Sequence, residues 1–272
     1  MRFPPIDFEM PGRKVRDLPN GVVTEDDWGR YVLLTGIVPD NLAADPYGQV
    51  SGAFAALERS LAEVGMDFAN VVRTWLYGDH ILDWYDELNR ARNDFFVSHG
   101  VYDRYVPAST GIGWTSDTGA KIVLGAFAAE PKCPGDVTWQ AIPSPLQCPA
   151  LEYGSSFARA AEVVTPGWKR VLVSGTASIT PDSHDVAYVD DITAQIDCTM
   201  KAVAAIYESR GLALSDVTGA LVYLKRESYR AAWEAWLAAH PEYPRAHARA
   251  IVADVCRDEW LFEIESDAMR AN

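Results

Sequence analysis

The stretch PRAHARAIVADVCRDEWLFEIESD, residues 244–267, combines a clear strand pattern with a dense set of reactive side chains. Residues 248–255 are rich in small and β-branched residues, which favour strands. Residues 260–265 alternate, which indicates a strand with one apolar face. One face carries Trp260, Phe262 and Ile264, and the other carries Leu261, Glu263 and Glu265. The polar residues 256–259 between the two parts are typical of a turn, so we predict a strand–turn–strand unit.

The two strands of this unit are expected to pair with each other antiparallel. In that arrangement Arg249, Cys256 and Glu263 line one concave surface. The apolar neighbours of Glu263 favour a desolvated carboxyl group, and desolvation raises the pKa of an acid toward neutrality. By the residues alone, an ion pair with an arginine at the sheet edge is the favoured role of Glu263, and acid catalysis is the alternative.

Composition limits the function classes that fit the chain. It has 272 residues, enough for one large domain or two ordinary ones, and 49% of them are hydrophobic, enough for a sizeable core. The net charge of −14 and the lack of a basic run argue against nucleic acid as a partner and against binding to anionic membranes. An anionic small molecule would have to be held by local arginines, and Arg249 and Arg245 are the first candidates.

Cysteine usage and the N-terminus favour a cytoplasmic protein without a metal or another cofactor. The four cysteines, Cys133, Cys148, Cys198 and Cys256, form no C-x-x-C pair and have no zinc spacing. Residues 1–15 lack the continuous apolar segment of a signal peptide, and no run is long and apolar enough to span a bilayer. The proline-rich opening as far as residue 20 is expected to be extended.

The chain also reads as an internal duplication. Each half follows the order strand, helix, strand, helix, strand, strand, with helices near residues 49–64, 81–99, 189–211 and 229–240. We predict an N-terminal module at 1–130, a proline-rich linker at 131–148 and a C-terminal module at 149–272. Each module is an α/β (α+β) unit, a mixed sheet with two helices packed on one face.

The two modules differ in their reactive residues. Aligning Pro107 with Pro244 pairs Glu263 with Ala126, Arg249 with Ile112 and Cys256 with Gly119. The N-terminal module is thus expected to lack the ionisable set, and the C-terminal module to carry the single active site.

Five motifs resemble a known family. They are VVRTW (71–75), YVPASTGIG (105–113), SPLQCPALEYGSSFARA (144–160), VSGTASI (173–179) and CRDEWLFEIE (256–265). In this order they are similar to the chorismatases, which consist of two tandem RidA/YjgF (chorismate-mutase-like) modules. The resemblance implies cofactor-independent hydrolysis of chorismate with release of pyruvate, an activity of secondary metabolism.

The resemblance also implies roles for particular residues. The segment 262–265 matches the glutamate strand of the family, with Glu263 as acid, and Arg249 is the counterpart of its carboxylate-binding arginine. Cys256 matches a pocket cysteine of the chorismatases that give 3-hydroxybenzoate. Gly175 and Ala177 would leave room for a ring. Further candidates for the pocket wall or the carboxylates are Tyr153, Tyr223 and, less strongly, Arg73 and Arg159.

Two other functions remain open at this point. The same fold is compatible with an enamine or imine deaminase, or another natural-product tailoring enzyme, that acts on a carboxylated substrate. It is also compatible with a non-catalytic module that binds small molecules. RidA proteins are typically trimers, so the chain is expected to be a homotrimer or a monomer that imitates part of the ring.

Overall fold

The computed structural model describes residues 14–272, so most of the predicted extended opening lies outside the described residues. The N-terminal module contains β1 (Lys14–Leu18), β2 (Gly21–Glu25), β3 (Gly29–Ile37), α1 (Pro46–Ala62), β4 (Val71–Gly78), α2 (Tyr85–Ser98), β5 (Ala108–Gly113) and β6 (Ile122–Pro131). The C-terminal module contains β7 (Thr138–Ile142), β8 (Ala160–Val164), β9 (Trp168–Ala177), α3 (Ile192–Ser209), β10 (Val217–Leu224), α4 (Arg230–Ala239), β11 (Ala248–Val252) and β12 (Phe262–Ala271).

The two sheets have the same topology. The first has the strand order β1-β2-β3-β6-β4-β5, and the second has the equivalent order β7-β8-β9-β12-β10-β11. In each sheet one pair is parallel, β4 with β5 and β10 with β11, and the other neighbours are antiparallel. The predicted duplication and the predicted mixed α+β modules are therefore confirmed.

Each pair of helices covers one face of its own sheet. Both long helices begin at an aspartate cap: Asp45 accepts a hydrogen bond from the amide of Gly48, and Asp191 accepts one from the amide of Ala194. The apolar faces of α1 and α2 pack on the first sheet, and those of α3 and α4 pack on the second. None of the helices within residues 14–272 has the length and apolar character that crossing a bilayer requires.

The helix-free faces of the two sheets pack against each other. A third core lies between them and includes Trp75 and Tyr77 on β4 and Trp168 and Leu172 on β9. Strand β12 is therefore buried on both faces. Phe262 and Ile264 point toward the helices, whereas the intervening Glu263, Glu265 and Asp267 lie on the face between the modules.

The predicted pairing of the two strands in residues 244–267 is wrong. Strand β10 lies between β11 and β12, and β11 pairs parallel with β10 at the edge of the sheet. Residues 253–261 thus form a crossover rather than a tight turn. Because of this crossover, Arg249 is exposed at the sheet edge while Glu263 is buried at its centre.

Four strands were missed because they carry weak patterns. Each module begins with a short antiparallel pair, β1–β2 or β7–β8, which the sequence order did not include. Strand β7 lies inside the segment 131–148 that was expected to be a linker, and most of its residues are exposed. The module boundaries themselves stay a prediction.

The register between the modules also differs from the proline alignment. Tyr77 on β4 pairs with Val123 on β6, and the equivalent Tyr223 on β10 pairs with Glu263 on β12. The structural counterpart of Glu263 is therefore Val123 rather than Ala126. The loops before the strands differ in length between the two halves. A single residue-number offset, such as that between Pro107 and Pro244, therefore cannot align all the strands of one module with those of the other.

Candidate active site

A cavity of about 660 Å³, its open mouth included, lies between the two modules. The N-terminal module lines it with Tyr85, Leu88, Arg92, Ser109 and Gly111. The C-terminal module lines it with Tyr153, Ser155, Phe157, Arg159, Gly175, Ala177, Ile179, Cys256, Arg257, Trp260 and Glu263. Sequence analysis placed the active site in the C-terminal module alone, whereas both modules form this cavity.

Of the residues in the described part of the chain, 14–272, that line the cavity, Glu263 is the one carboxylic acid. Its side chain is only 4% exposed. Burial and, after it, the charge of Glu265 raise the pKa of Glu263 to about 8, and the charge of Arg159 opposes the shift. Glu263 therefore carries a proton for most of the time at neutral pH, as a general acid must.

An irregularity in the sheet makes room for this carboxyl group. Between Ile264 and Ser266 the register of β12 against β9 shifts, because β9 contributes one extra residue there. Gly175 lies in that bulge, and its amide donates a hydrogen bond to Thr110 Oγ1 at 3.0 Å. A Cβ atom on Gly175 would lie 2.2 Å from Glu263 Oε1. Only glycine at this position leaves space for the acid.

Arg92 supplies a buried positive charge on the opposite wall. It lies on α2 and is 3% exposed. Its Nη2 atom donates to the neutral amide oxygen of Asn89 at 2.6 Å, and its Nε atom has no hydrogen-bond partner among residues 14–272. Burial lowers the pKa of Arg92, because the charged guanidinium is taken out of water. An anion in the cavity would compensate that cost.

Two further arginines line the C-terminal wall. Arg159 is fixed by two hydrogen bonds to the carbonyl of Cys148, at 2.9 and 2.7 Å. Its guanidinium also lies 5.6 Å from the ring centroid of Tyr153. Arg257 lies 5.2 Å from the ring centroid of Trp260. With Arg92 they give the cavity three guanidinium groups and a single carboxyl, a charge pattern that suits a dianion.

Cys256 faces the cavity as a neutral thiol. Its Sγ atom donates to the carbonyl of Gly111 at 2.8 Å. Burial, and after it the charge of Glu263, raises the pKa of Cys256 to about 12. A thiol with such a pKa is a poor nucleophile at neutral pH. We therefore expect Cys256 to shape the pocket wall.

The predicted site residues divide into two groups. Glu263, Cys256, Gly175, Ala177 and Tyr153, together with the weaker candidate Arg159, come together around the cavity. The other four do not line the cavity. Arg249 is exposed at the sheet edge, and Arg245 pairs with Glu234 at the surface at 2.6 Å. Tyr223 is fully buried on β10, and Arg73 is buried in an ion-pair network.

Sequence reasoning missed the contribution of helix α2. Tyr85, Leu88 and Arg92 are three and four residues apart, so they share one face of the helix. An arginine on the buried face of a helix was a detectable signal. It was overlooked because the apolar stripe of this helix was assigned wholly to the core.

Comparison with known proteins supports the fold. The crystal structure of a chorismatase aligns with a TM-score of 0.69 and 20% sequence identity, covering 94% of this chain and 79% of that chain. The predicted resemblance to a chorismatase-like tandem fold is thus confirmed. The family model described as Endoribonuclease L-PSP matches residues 158–270. Comparison with curated protein sequences gives no match.

Single-module structures align with about half of this chain. A member of the YjgF/YER057c/UK114 family from Mycobacterium tuberculosis aligns with a TM-score of 0.38 and 22% identity, over 48% of this chain and 98% of that one. A putative endoribonuclease L-PSP from Entamoeba histolytica aligns with a TM-score of 0.41 and 18% identity, over 49% of this chain and 100% of that one.

Proposed function

We propose that this chain is a chorismatase-type hydrolase that cleaves the enolpyruvyl ether of chorismate and releases pyruvate. The observation that carries the proposal is a buried glutamic acid, Glu263, at the wall of a cavity that also contains three arginines. A proton donor beside a dianion-binding surface is what this reaction requires. The fold shared with a chorismatase supports the same reaction class.

The arginines account for substrate recognition. Chorismate carries one carboxylate on its ring and one on its enolpyruvyl group, and guanidinium groups bind carboxylates in a bidentate manner. Arg92 and Arg159 lie on different walls of the cavity and belong to different modules. We assign one carboxylate to each, with Arg257 at the rim. The acidic chain can thus hold an anion through local charge.

The first chemical step is protonation of carbon. Glu263 transfers its proton to the methylene carbon of the enol ether, and the electron pair of the double bond forms the new C–H bond. The product is an oxocarbenium ion beside the newly formed Glu263 carboxylate, which stabilises it electrostatically. Acid catalysis of this kind contributes roughly 10²–10⁴-fold in rate.

Water completes the hydrolysis. It adds to the oxocarbenium carbon, and the Glu263 carboxylate takes up the proton that the water loses. This proton uptake restores protonated Glu263 for the next turnover. The hemiketal then collapses to pyruvate and the ring alcohol, as its hydroxyl proton passes to the departing ring oxygen. The ring alcohol is a dihydrodiol, and loss of one further water from its ring gives a hydroxybenzoate, the product class that Cys256 favours by resemblance. Chromatography of the ring product distinguishes the two.

The experiment is incubation of the purified protein with chorismate, with pyruvate measured through lactate dehydrogenase. We expect pyruvate from the wild type and none above background from Glu263→Gln, while calorimetry shows chorismate still bound by the variant. Binding without turnover in the wild type would indicate a non-catalytic module. Absence of pyruvate, together with ammonia release from an imino acid, would indicate a deaminase instead.

The oligomeric state and the cellular location of the protein are expectations that the family resemblance implies. We expect a cytoplasmic homotrimer or a pseudo-trimeric monomer. Analytical ultracentrifugation distinguishes the two states by mass, because a trimer has three times the 30.0 kDa of the single chain.

A further inference from the structure

Four charged side chains that the proposed reaction does not use lie between the two sheets; those of Arg73, Glu265 and Asp267 are buried, and that of Arg170 is half-buried. Arg73 on β4 is 1% exposed and pairs with Glu265 at 2.8 Å and with Asp267 at 3.2 Å. Arg170 on β9 pairs with Asp267 at 2.6 Å. Two cations thus balance two anions, and both arginines are engaged by Glu265 and Asp267.

The carboxylate of Glu265 is fixed by donors from the other module. Trp75 Nε1 lies 3.0 Å from each of its two oxygens, and Arg73 Nη2 donates to one of them. Arg73 is fixed in turn, because it donates to Val173 O at 2.9 Å and to Thr110 Oγ1 at 2.9 Å. The negative charge of Glu265 is therefore held in one place.

That charge lies close to the proposed acid. Glu263 and Glu265 are two residues apart on β12, so their side chains project from the same face, with Cα atoms about 7 Å apart. A fixed negative charge at this separation disfavours a second one. Burial is the main cause of the raised pKa of Glu263, and Glu265 is the second.

We propose that Glu265, held by Arg73 and Trp75 of the N-terminal module, is a positioning residue that keeps Glu263 in its proton-bearing form. The N-terminal module then controls the protonation state of Glu263 and also lines the cavity. The catalytic meaning of this inference rests on the proposed function, whereas the coupling between the two glutamates does not.

The coupling has to be measured against the other groups near Glu263. Arg159 acts in the opposite direction, and the thiol of Cys256 is neutral at physiological pH. The remaining titratable or charged groups around the cavity and on the adjoining strand are Tyr85, Arg92, Tyr153, Arg257 and Tyr223. Burial, and after it the charge of Glu265, raises the pKa of Tyr223 well above its ordinary value, so Tyr223 stays neutral over the titrated pH range.

The test is a titration of Glu263 that needs no substrate. Protein labelled with ¹³C at the glutamate carboxyl is titrated by NMR, and the Glu263 signal is assigned by its loss in Glu263→Gln. We expect Glu265→Gln to lower the midpoint of Glu263 by about one pH unit, because a like charge is removed. Glu265→Asp keeps the charge and should restore most of the shift.

Asp267→Asn is the matched control. It removes the same charge from the same face of β12, but two residues further from Glu263, so its effect should be clearly smaller. Should Glu265→Gln fold poorly, the Arg73→Gln/Glu265→Gln variant replaces the pair with two neutral amides and is expected to lower the midpoint as well.

An unchanged midpoint in the folded variants would overturn the inference, and so would an equal shift from Asp267→Asn. A lowered midpoint in a protein that releases no pyruvate would support the coupling and refute only the proposed function. Where pyruvate is released, the alkaline limb of the pH–rate profile should shift by the same amount as the titration.

Discussion

Gly175 and Glu263 are in such close contact that a single methyl group on Gly175 would lie 2.2 Å from Glu263 Oε1. The next nearest atom, Thr110 Cγ2, would be 3.1 Å away. The glycine lies in a bulge of β9 and is only partly buried. The acid therefore occupies the space that a side chain on residue 175 would take.

The first prediction follows from this contact. Gly175→Ala should force the Glu263 carboxyl group out of its position, and a misplacement of about 1 Å is enough for a loss on the order of 100-fold in kcat. Steady-state kinetics measures the effect. Gly111→Ala is the comparison, because its Cβ would meet Cys256 Sγ at 3.7 Å, an ordinary contact. Equal losses in the two variants would argue against the specific contact.

The second prediction concerns the pH dependence of turnover. Because the pKa of Glu263 is about 8, the acid loses its proton as the pH rises through that value. The rate constant kcat/KM for chorismate should be constant below this limb and fall about tenfold per pH unit above it. A rate that instead increases through pH 8 would identify Glu263 as a base.

The third prediction concerns stability. Between pH 4.5, the ordinary pKa of a glutamate, and about 8, the folded chain keeps the proton of Glu263 while the unfolded chain loses it. This group therefore makes the free energy of unfolding fall as the pH rises, by about 1.4 kcal/mol per pH unit. Glu263→Gln has no such group. Urea unfolding should show that the free energy of unfolding of Glu263→Gln increases relative to that of the wild type from pH 5 to pH 8. A difference between the two proteins that does not change with pH would contradict the raised pKa of Glu263.

The fourth prediction concerns Arg92. Arg92→Met removes the charge but keeps much of the volume, so KM should rise roughly 10- to 100-fold, the value of a charge-assisted hydrogen bond. Stability should be unchanged or higher, because the variant no longer buries a guanidinium that has no carboxylate partner within residues 14–272. Arg249→Met is the matched control, since Arg249 is exposed at the sheet edge. A rise in KM for Arg249→Met would show that Arg249 contributes to substrate binding.

The fifth prediction concerns Cys256. With a pKa of about 12, only about one thiol in 10⁴ is a thiolate at pH 8, so Cys256 should resist alkylation. The exposed Cys133 should react first. Mass spectrometry after brief treatment with iodoacetamide measures both. Labelling of Cys256 as fast as that of Cys133 would show an activated thiol and require a nucleophilic role.

The sequence pattern was sufficient to predict those features of the fold that depend on local interactions. The helical spacing of α1 and α3, the alternation around Glu263 and the order of the six elements predicted in each half are properties of short segments, and the structure has them in addition to the four missed strands. The burial of Glu263 was predictable because of its neighbours Phe262 and Ile264, whereas its role as an acid came from the family resemblance. The repeated order was enough to predict two similar sheets.

Interactions between distant segments were not predictable in the same way. The position of β10 between β11 and β12 depends on the whole sheet, and it moves Arg249 away from the acid. The contacts of Arg73 with Glu265 and Asp267 join residues that are 192 and 194 positions apart. No local pattern shows that the helix-free faces of two sheets meet.

Protonation of carbon by Glu263 is the central claim, and hydrolysis of chorismate in D₂O tests it most directly. With lactate dehydrogenase present to trap pyruvate at once, the account predicts lactate with one deuterium in its methyl group, formed by the wild type and not by Glu263→Gln. Pyruvate released without deuterium in the methyl group, or undiminished release by Glu263→Gln, would contradict it.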